Sequence, residues 1–159
     1  MFQIKISITN QTLKLMQGDQ LHSEFLVSTA LNGAGETNNS GCTPRGDHYI
    51  RAMIGEGLPL NAVFVGRRFT GEIYNPKLAE TFPERDWILT RIMWLCGTEI
   101  GKNRLGHVDS MQRYIYIHGT PDTEPMGVAK SHGCIRMRNS DLVLLFELVT
   151  TGTPVSIEE

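Results

Sequence analysis

The residues with the most chemistry to offer lie in one stretch near the end of the chain, YIYIHGTPDTEPMGVAKSHGCIRM, from Tyr114 to Met137. Cys134, in Ser131-His132-Gly133-Cys134, is open to three readings: a nucleophile with its base, a metal ligand, or a small buried thiol in a tight turn. A free thiol, with a pKa of about 8.5, is only a few per cent ionised at neutral pH, so a nucleophilic cysteine needs an imidazole within reach. His118 is the candidate. It closes the alternating run RYIYIH, which would hold it on a rigid strand. Residues 119–130 contain two prolines and two glycines, so the chain can fold back and bring Cys134 near it. Gly133 permits a sharp turn and close approach of a ligand to the backbone. The N–H groups of His132, Gly133 and Cys134, if aligned, would stabilise an oxyanion. The chemistry implied is acyl transfer through a thioester.

The metal reading uses the same atoms. His118, His132 and Cys134 would be three zinc ligands, with His107 or Cys96 as a fourth. No CxxC or HxxxH pair is present, however, and paired short spacing is what marks a zinc site; the expectation is no metal and no cofactor. Cys96, inside IMWLC, reads as core. Cys42 lies in a polar loop and reads as incidental. His22 and His48 fall on strands and read as polar surface positions. Arg45 and Arg113 are further candidates for contacting a carboxylate of a substrate.

The rest of the chain must position these groups. Its 159 residues suit one domain with one core, spanning 1–159, and its 40% hydrophobic and 20% charged residues are ordinary for a globular protein. A formal charge of −2, with no basic run, argues against nucleic acid as a partner. No run of about 20 apolar residues is present to span a bilayer. Three cysteines, at 42, 96 and 134, are too few and too scattered for a disulfide framework. The first residues, MFQIKISITN, lack the charged, apolar and small-residue segments of a secretory leader. A cytoplasmic location is therefore expected, with a periplasmic one the alternative if a leader has been removed.

Alternation of Ile4, Ile6 and Ile8 with polar residues predicts a strand over 2–9, followed by strands over 12–17 and 21–29 in a three-strand meander. Residues 32–46, rich in Gly, Asn, Ser and Thr, read as a flexible connection. Strand character returns over 47–54, and residues 55–72 carry no clear pattern. Asn75 as N-cap with Pro76 at the first helical position predicts a short helix over 76–82. Residues 87–96 read as a core strand, 97–112 as a polar loop whose stretch 101–110 (GKNRLGHVDS) is either part of a pocket or its lid or plain surface, and 113–118 as a strand. A helix follows Asn139 through Leu142–Val149, closed by Gly152, and Pro154–Ile157 is a last strand. The fold class is mostly β, a sandwich or barrel-like architecture with one main helix.

Ile117-His118-Gly119, a loop, Ser131–Met137 (SHGCIRM), a helix and Gly152-Thr-x-Val-x-Ile157 together resemble the L,D-transpeptidase catalytic (YkuD) domain. The strand meander and the turn Thr43-Pro44-Arg45-Gly46 fall in the same order. The resemblance implies that Cys134 is the nucleophile and His118 the general base, with the Gly119 carbonyl orienting the imidazole. It places His132 and Gly133 on the oxyanion side, and Ser131 and Arg136 as structural or substrate-contacting residues. The implied substrate is a peptidoglycan stem tetrapeptide or muropeptide. The bond attacked lies between the L-centre of residue three, usually meso-diaminopimelate, and D-alanine. D-alanine leaves, the acyl group passes to an amine or to water, and carbapenems would acylate the same cysteine. Without a leader, the expected role is an L,D-carboxypeptidase of muropeptide recycling. The alternatives are a periplasmic L,D-transpeptidase that forms 3-3 crosslinks or attaches lipoprotein and, from another class, a zinc-binding or structural domain.

Overall fold

A computed structural model describes residues 1–159. The chain forms strands β1 (Phe2–Ser7), β2 (Thr12–Gln17), β3 (Gln20–Ser28), β4 (Gly46–Ile54), β5 (Ala62–Val65) and β6 (Arg68–Ile73), then helix α1 (Pro76–Thr81). Strands β7 (Ile88–Gly97), β8 (Tyr116–Thr120) and β9 (Ile135–Arg138), helix α2 (Asn139–Leu148) and strand β10 (Pro154–Glu158) complete it. All ten strands join one sheet in the order β4-β10-β1-β2-β3-β9-β8-β7-β5-β6, and a further β4–β7 pairing closes eight of them into a barrel. Closure removes the free edges that an open sheet would leave.

The meander forms because inward Ile4, Ile6, Leu13 and Leu15 alternate with outward Lys5 and Lys14, and all four apolar side chains are buried. They join one core with Met93, Leu95, Ile117 and Ile135. Helix α2 lies against β7, β8 and β9 and adds Leu142, Leu145 and Phe146. Asn75 caps α1 as its side chain accepts from the Leu78 N–H at 2.9 Å.

Three differences from the sequence reading matter for the site. Residues 62–73 form the β5–β6 hairpin; β5 is short and buried at three successive positions while β6 is mostly exposed, so neither shows an alternation. The strand bearing His118 begins at Tyr116, not Arg113, because Tyr114 takes a left-handed turn conformation (φ 57°). Ile135–Arg138, unassigned from sequence, is a strand running parallel to β8, with Ile117 opposite Ile135 and His118 opposite Arg136.

The glycine-rich segment 32–46 is a fastened loop rather than a flexible connection. Arg113 donates to the carbonyls of Gly35, Glu36 and Cys42, the last at 2.6 Å. Buried Thr43 donates its hydroxyl to the Gly133 carbonyl at 2.9 Å and accepts from the Ala30 N–H at 3.0 Å. His48 is another correction. It is buried, with its ring bonded to Ser110 Oγ at 2.8 Å and the Gly46 carbonyl at 3.0 Å, because β4 turns this position inward. Residues 101–110 therefore brace the barrel end through Ser110 and Asn103, and they do not line the cleft that holds Cys134.

Candidate active site

The β8–β9 pairing is what brings His118 and Cys134 together. His118 sits mid-strand on β8, and Cys134 directly precedes β9, so the parallel register, with Ile117 opposite Ile135, sets Cys134 level with Tyr116, two residues before His118. Both line one cleft of about 470 Å³, with Tyr116, Asp86 and Arg136 among its walls and the hairpin turn Gly66-Arg67 at its rim.

The turn before β9 is built by short hydrogen bonds. Ser131 donates its hydroxyl to the Cys134 carbonyl at 2.5 Å and accepts from the Gly133 N–H at 3.2 Å. Gly133 holds a φ of 135°, and a Cβ there would lie 3.2 Å from the Cys42 carbonyl oxygen, so both conformation and space call for glycine. Because Ser131 occupies the Gly133 N–H, the donors left without a protein acceptor in this turn are the N–H groups of His132 and Cys134. Gly133 thus serves the turn through its backbone shape rather than as a free donor.

Cys134 Sγ sits between two backbone groups, one in the turn before β8 and one at its first residue. It donates to the Tyr114 carbonyl and accepts from the Tyr116 N–H, each at 3.3 Å. Burial pushes the thiol above its ordinary value, and the Tyr116 N–H only partly offsets this. His118 is 1% exposed, and its Nδ1 is bonded to the Gly119 carbonyl at 2.6 Å. A carbonyl only accepts, so Nδ1 carries the proton and Nε2 presents a lone pair. Burial holds the His118 pKa below its ordinary value, with Asp86 and the Gly119 carbonyl working the other way. The resting pair is therefore a neutral thiol and a neutral imidazole.

Gly119 is fixed in turn by a buried polar network under β8. Asn139 donates to the Thr120 carbonyl at 2.9 Å and to Asn61 Oδ1 at 3.0 Å, and its Oδ1 accepts from Thr90 Oγ1 at 2.6 Å. Thr90 is fully buried with φ 74°, an uncommon conformation for a β-branched residue. A Cβ on Gly119 would lie 2.6 Å from the Leu89 carbonyl oxygen and closer still to Asn139 Oδ1.

Asp86 is the charged group that sequence reasoning missed. It bonds to Arg136 at 3.1 Å and lies 3.5 Å from His132 Nδ1. Burial works to raise its pKa, but His118, Arg136 and His132 together hold it below the usual carboxylate range. A lone aspartate before WILT, 32 residues ahead of His118, gives no spacing signal. Only the β7–β8 pairing places it here.

The remaining candidates divide. Arg136 lines the cleft, 8% exposed, with its Nε buried and unpartnered. The His132 ring is largely exposed at the cleft edge. Arg113 clamps the 32–46 loop, and Arg45 pairs with Glu36 and Glu159, so neither reaches the cleft. Cys96 is buried in β7, as read from sequence. Cys42 is more than incidental, since its carbonyl receives Arg113 and packs on Gly133. No three His, Cys, Asp or Glu side chains converge in a geometry that could hold a metal ion.

A barrel carrying a strand-borne histidine and a glycine-preceded cysteine in one cleft defines the class of site. The chain belongs to the L,D-transpeptidase catalytic domain (YkuD) family, whose model matches residues 2–157. A probable L,D-transpeptidase YbiS of Escherichia coli K12 is 49% identical over 43 residues, 27% of this chain and 14% of that protein. A putative L,D-transpeptidase YkuD of Bacillus subtilis is 49% identical over 41 residues, 26% of this chain and 25% of that protein. Among solved structures, an L,D-transpeptidase from Mycobacterium smegmatis superposes with a TM-score of 0.59 at 16% identity, over 99% of this chain and 58% of the other. One from Enterococcus faecium, a C442S mutant, gives 0.59 at 17% identity over 98% and 49%. These structural matches establish a shared fold. The chain spans only a fraction of the curated relatives and about half of these two neighbours.

Proposed function

We propose that the chain is a cysteine acyl-transfer enzyme that cleaves the L,D bond before the terminal D-alanine of peptidoglycan tetrapeptides, with Cys134 as nucleophile and His118 as general base. One observation carries this reading. Cys134 and His118 line the same cleft, and the Gly119 carbonyl commits His118 Nδ1 so that Nε2 is the basic atom. As sulfur attacks the carbonyl carbon of residue three, its proton passes to His118 Nε2. The N–H groups of His132 and Cys134 stabilise the resulting oxyanion. Collapse expels D-alanine, whose amine takes the proton from the imidazolium, and leaves a thioester on Cys134. Water, deprotonated by the same imidazole, then releases the tripeptide acid, and the enzyme is an L,D-carboxypeptidase. Arg136, positioned by Asp86, faces the substrate from the cleft wall.

A second reading, transfer to an amine, has room in a second opening of about 330 Å³ that shares Asp86, His132 and Arg136 with the first and sets Glu84 and Glu124 against Arg85 and Lys130. Incubation of the protein with a defined tetrapeptide, with and without an added acceptor amine, followed by mass analysis, separates the two. Tripeptide and D-alanine are the expected products. A crosslinked product instead would favour transfer. Cys134→Ala should abolish turnover with its melting curve unchanged, and His118→Ala should lower it by roughly 10²- to 10⁴-fold. Retained turnover by Cys134→Ala would refute the assignment.

A further inference from the structure

Arg67 is the one cleft-lining arginine that the chain leaves without an acidic partner. It sits at the tip of the β5–β6 hairpin, where Val65 pairs with Arg68 and the two intervening residues, Gly66 (φ 56°) and Arg67 (φ 65°), are both left-handed. This is a two-residue type I′ turn, in which Asn or Gly is the usual occupant of the second position. A long side chain adopts that backbone against its own preference. The side chain folds back over the aromatic wall of the cleft. Its guanidinium carbon stands 4.4 Å from the centre of the Trp94 ring and 5.0 Å from that of Tyr114, and one N–H donates to the Tyr116 hydroxyl at 2.9 Å.

Tyr114 and Tyr116 are the residues whose backbone holds Cys134 Sγ. Arg67 and the thiol are thus referenced to the same short segment. Arg136, the other cleft arginine, is taken by Asp86. Arg85 is taken by Glu72, and Arg45 by Glu36 and Glu159. Arg67 makes no ion pair in the chain. Of its five N–H donors, one is used. A guanidinium stacked on aromatic rings is poorly hydrated and rigid, which favours forked binding to a planar anion.

We infer that Arg67 is a specificity-determining residue that receives a carboxylate of the donor peptide and sets its register against Cys134. The inference rests on the L,D-cleaving reading above. It goes further in requiring an anionic group on the substrate at a fixed distance from the scissile bond. In a tetrapeptide that group is either the terminal D-alanine carboxylate or the side-chain carboxylate of residue three, and the chemistry is shared.

The test uses Cys134→Ala protein, which binds without turnover, and calorimetric titration of three peptides: the parent tetrapeptide, its C-terminal amide, and the variant amidated on residue three. The second substitution is Arg67→Gly, which suits the left-handed backbone and so preserves the turn. Arg67→Gly should weaken the parent by about ten- to a hundredfold, the range of a hydrogen bond to a charged group. It should leave unchanged the affinity of whichever amide lacks the partner carboxylate, and that amide names the partner. Arg67→Lys should recover part of the loss. Undiminished binding of the parent by Arg67→Gly, or equal weakening of all three peptides, overturns the assignment. D-alanine release by wild-type protein together with an indifferent Arg67→Gly sinks Arg67 alone. Neither binding nor release by folded wild-type protein sinks the L,D reading, and the Arg67 assignment with it.

Discussion

Adding a single methyl group at Gly119 should damage stability and chemistry together. The glycine does not need a special backbone angle; it needs space. Its neighbour across the sheet is Leu89, whose carbonyl oxygen would lie 2.6 Å from the new Cβ, with Asn139 Oδ1 closer still. The Leu89 carbonyl is backbone in the β7–β8 ladder and cannot swing aside. The Asn139 amide can, but only by releasing Thr90 Oγ1 and the Thr120 carbonyl. Overpacking of a tight interior costs about 1–3 kcal/mol, and stranding a buried polar group adds about 1–3 kcal/mol more. Gly119→Ala should therefore lose roughly 2–6 kcal/mol, which for a chain of this size lowers the melting temperature by about 4–24 °C. The Gly119 carbonyl that holds His118 Nδ1 must shift with the strand, and a misplacement near 1 Å costs about 10²-fold in rate. D-alanine release below the melting transition, set beside calorimetric melting, reads both effects. In a double-mutant cycle, Asn139→Ala removes the softer of the two clashes, so the pair should be less than additive by about 0.5–3 kcal/mol. Wild-type melting of Gly119→Ala would refute the steric argument. Lost stability with an undiminished rate would refute the claim that this carbonyl places the imidazole.

His48 and His118 are both buried with pKa values held below the ordinary 6.5, burial being the largest cause in each. Their stabilising contribution is present above the unfolded-state value and is lost as pH falls below it, because the unfolded chain then binds more protons; melting temperature should decline as pH drops from 6.5, and a flat profile down to pH 5 would contradict the burial argument. Asp86→Asn removes the carboxylate that raises the His118 pKa, so the acid limb of the rate profile should move to lower pH; an unmoved limb would show that Asp86 does not act on His118. Thr43→Val removes a buried hydroxyl that bridges Ala30 and Gly133 and should cost about 1–3 kcal/mol, with slower alkylation of Cys134 as the turn loosens; unchanged denaturant midpoint and thiol reactivity would count against it.

The elements legible in the sequence were those whose local pattern agrees with the final environment. Strands β1 and β2 alternate cleanly because one face is core and the other solvent. Asn75-Pro76 marks its helix because capping is local chemistry. His118, Ser131, Gly133 and Cys134 stood out by residue type and short spacing, and the structure places them around one cleft and its turn. Other features exist only through long-range contact. Strand β9 is four residues long and is recruited by β3 and β8. His48 reads as a surface position until Ser110, 62 residues later, covers it. Asp86 becomes part of the site only when β7 is laid beside β8. Loop 32–46 has the composition of a flexible linker and is fastened by Arg113 and, through its own Thr43, by Gly133, which no local rule connects to it.

The residues hardest to anticipate also share a physical property. Of the seven non-glycine residues with positive φ, four border the cleft or its supporting network: Asn61, Arg67, Thr90 and Tyr114. Each is supported by long-range contacts. Thr90 and Asn61 are bonded to Asn139, Arg67 is stacked on Trp94 and Tyr114, and the carbonyl of Tyr114 accepts a hydrogen bond from the Cys134 thiol. A left-handed threonine or tyrosine costs about 1–2 kcal/mol, and such strain persists only where the surroundings over-determine it. Propensity rules average over sites where the backbone relaxes, so they fail at positions where tertiary contacts hold it in place. In a β-barrel the strands fix direction, and the residues between strands must aim side chains across it. Strained backbone at Arg67 and Tyr114, outside the strands, and at Thr90, within β7, sets three features of the site that regular strand geometry does not: the arginine stacked on Trp94 and Tyr114, the support under Gly119, and the carbonyl that accepts from Sγ. Relaxing any one of them, as Thr90→Gly would, should free backbone at that point and lower the rate more than the stability, because the strained conformation opposes folding while it holds the geometry.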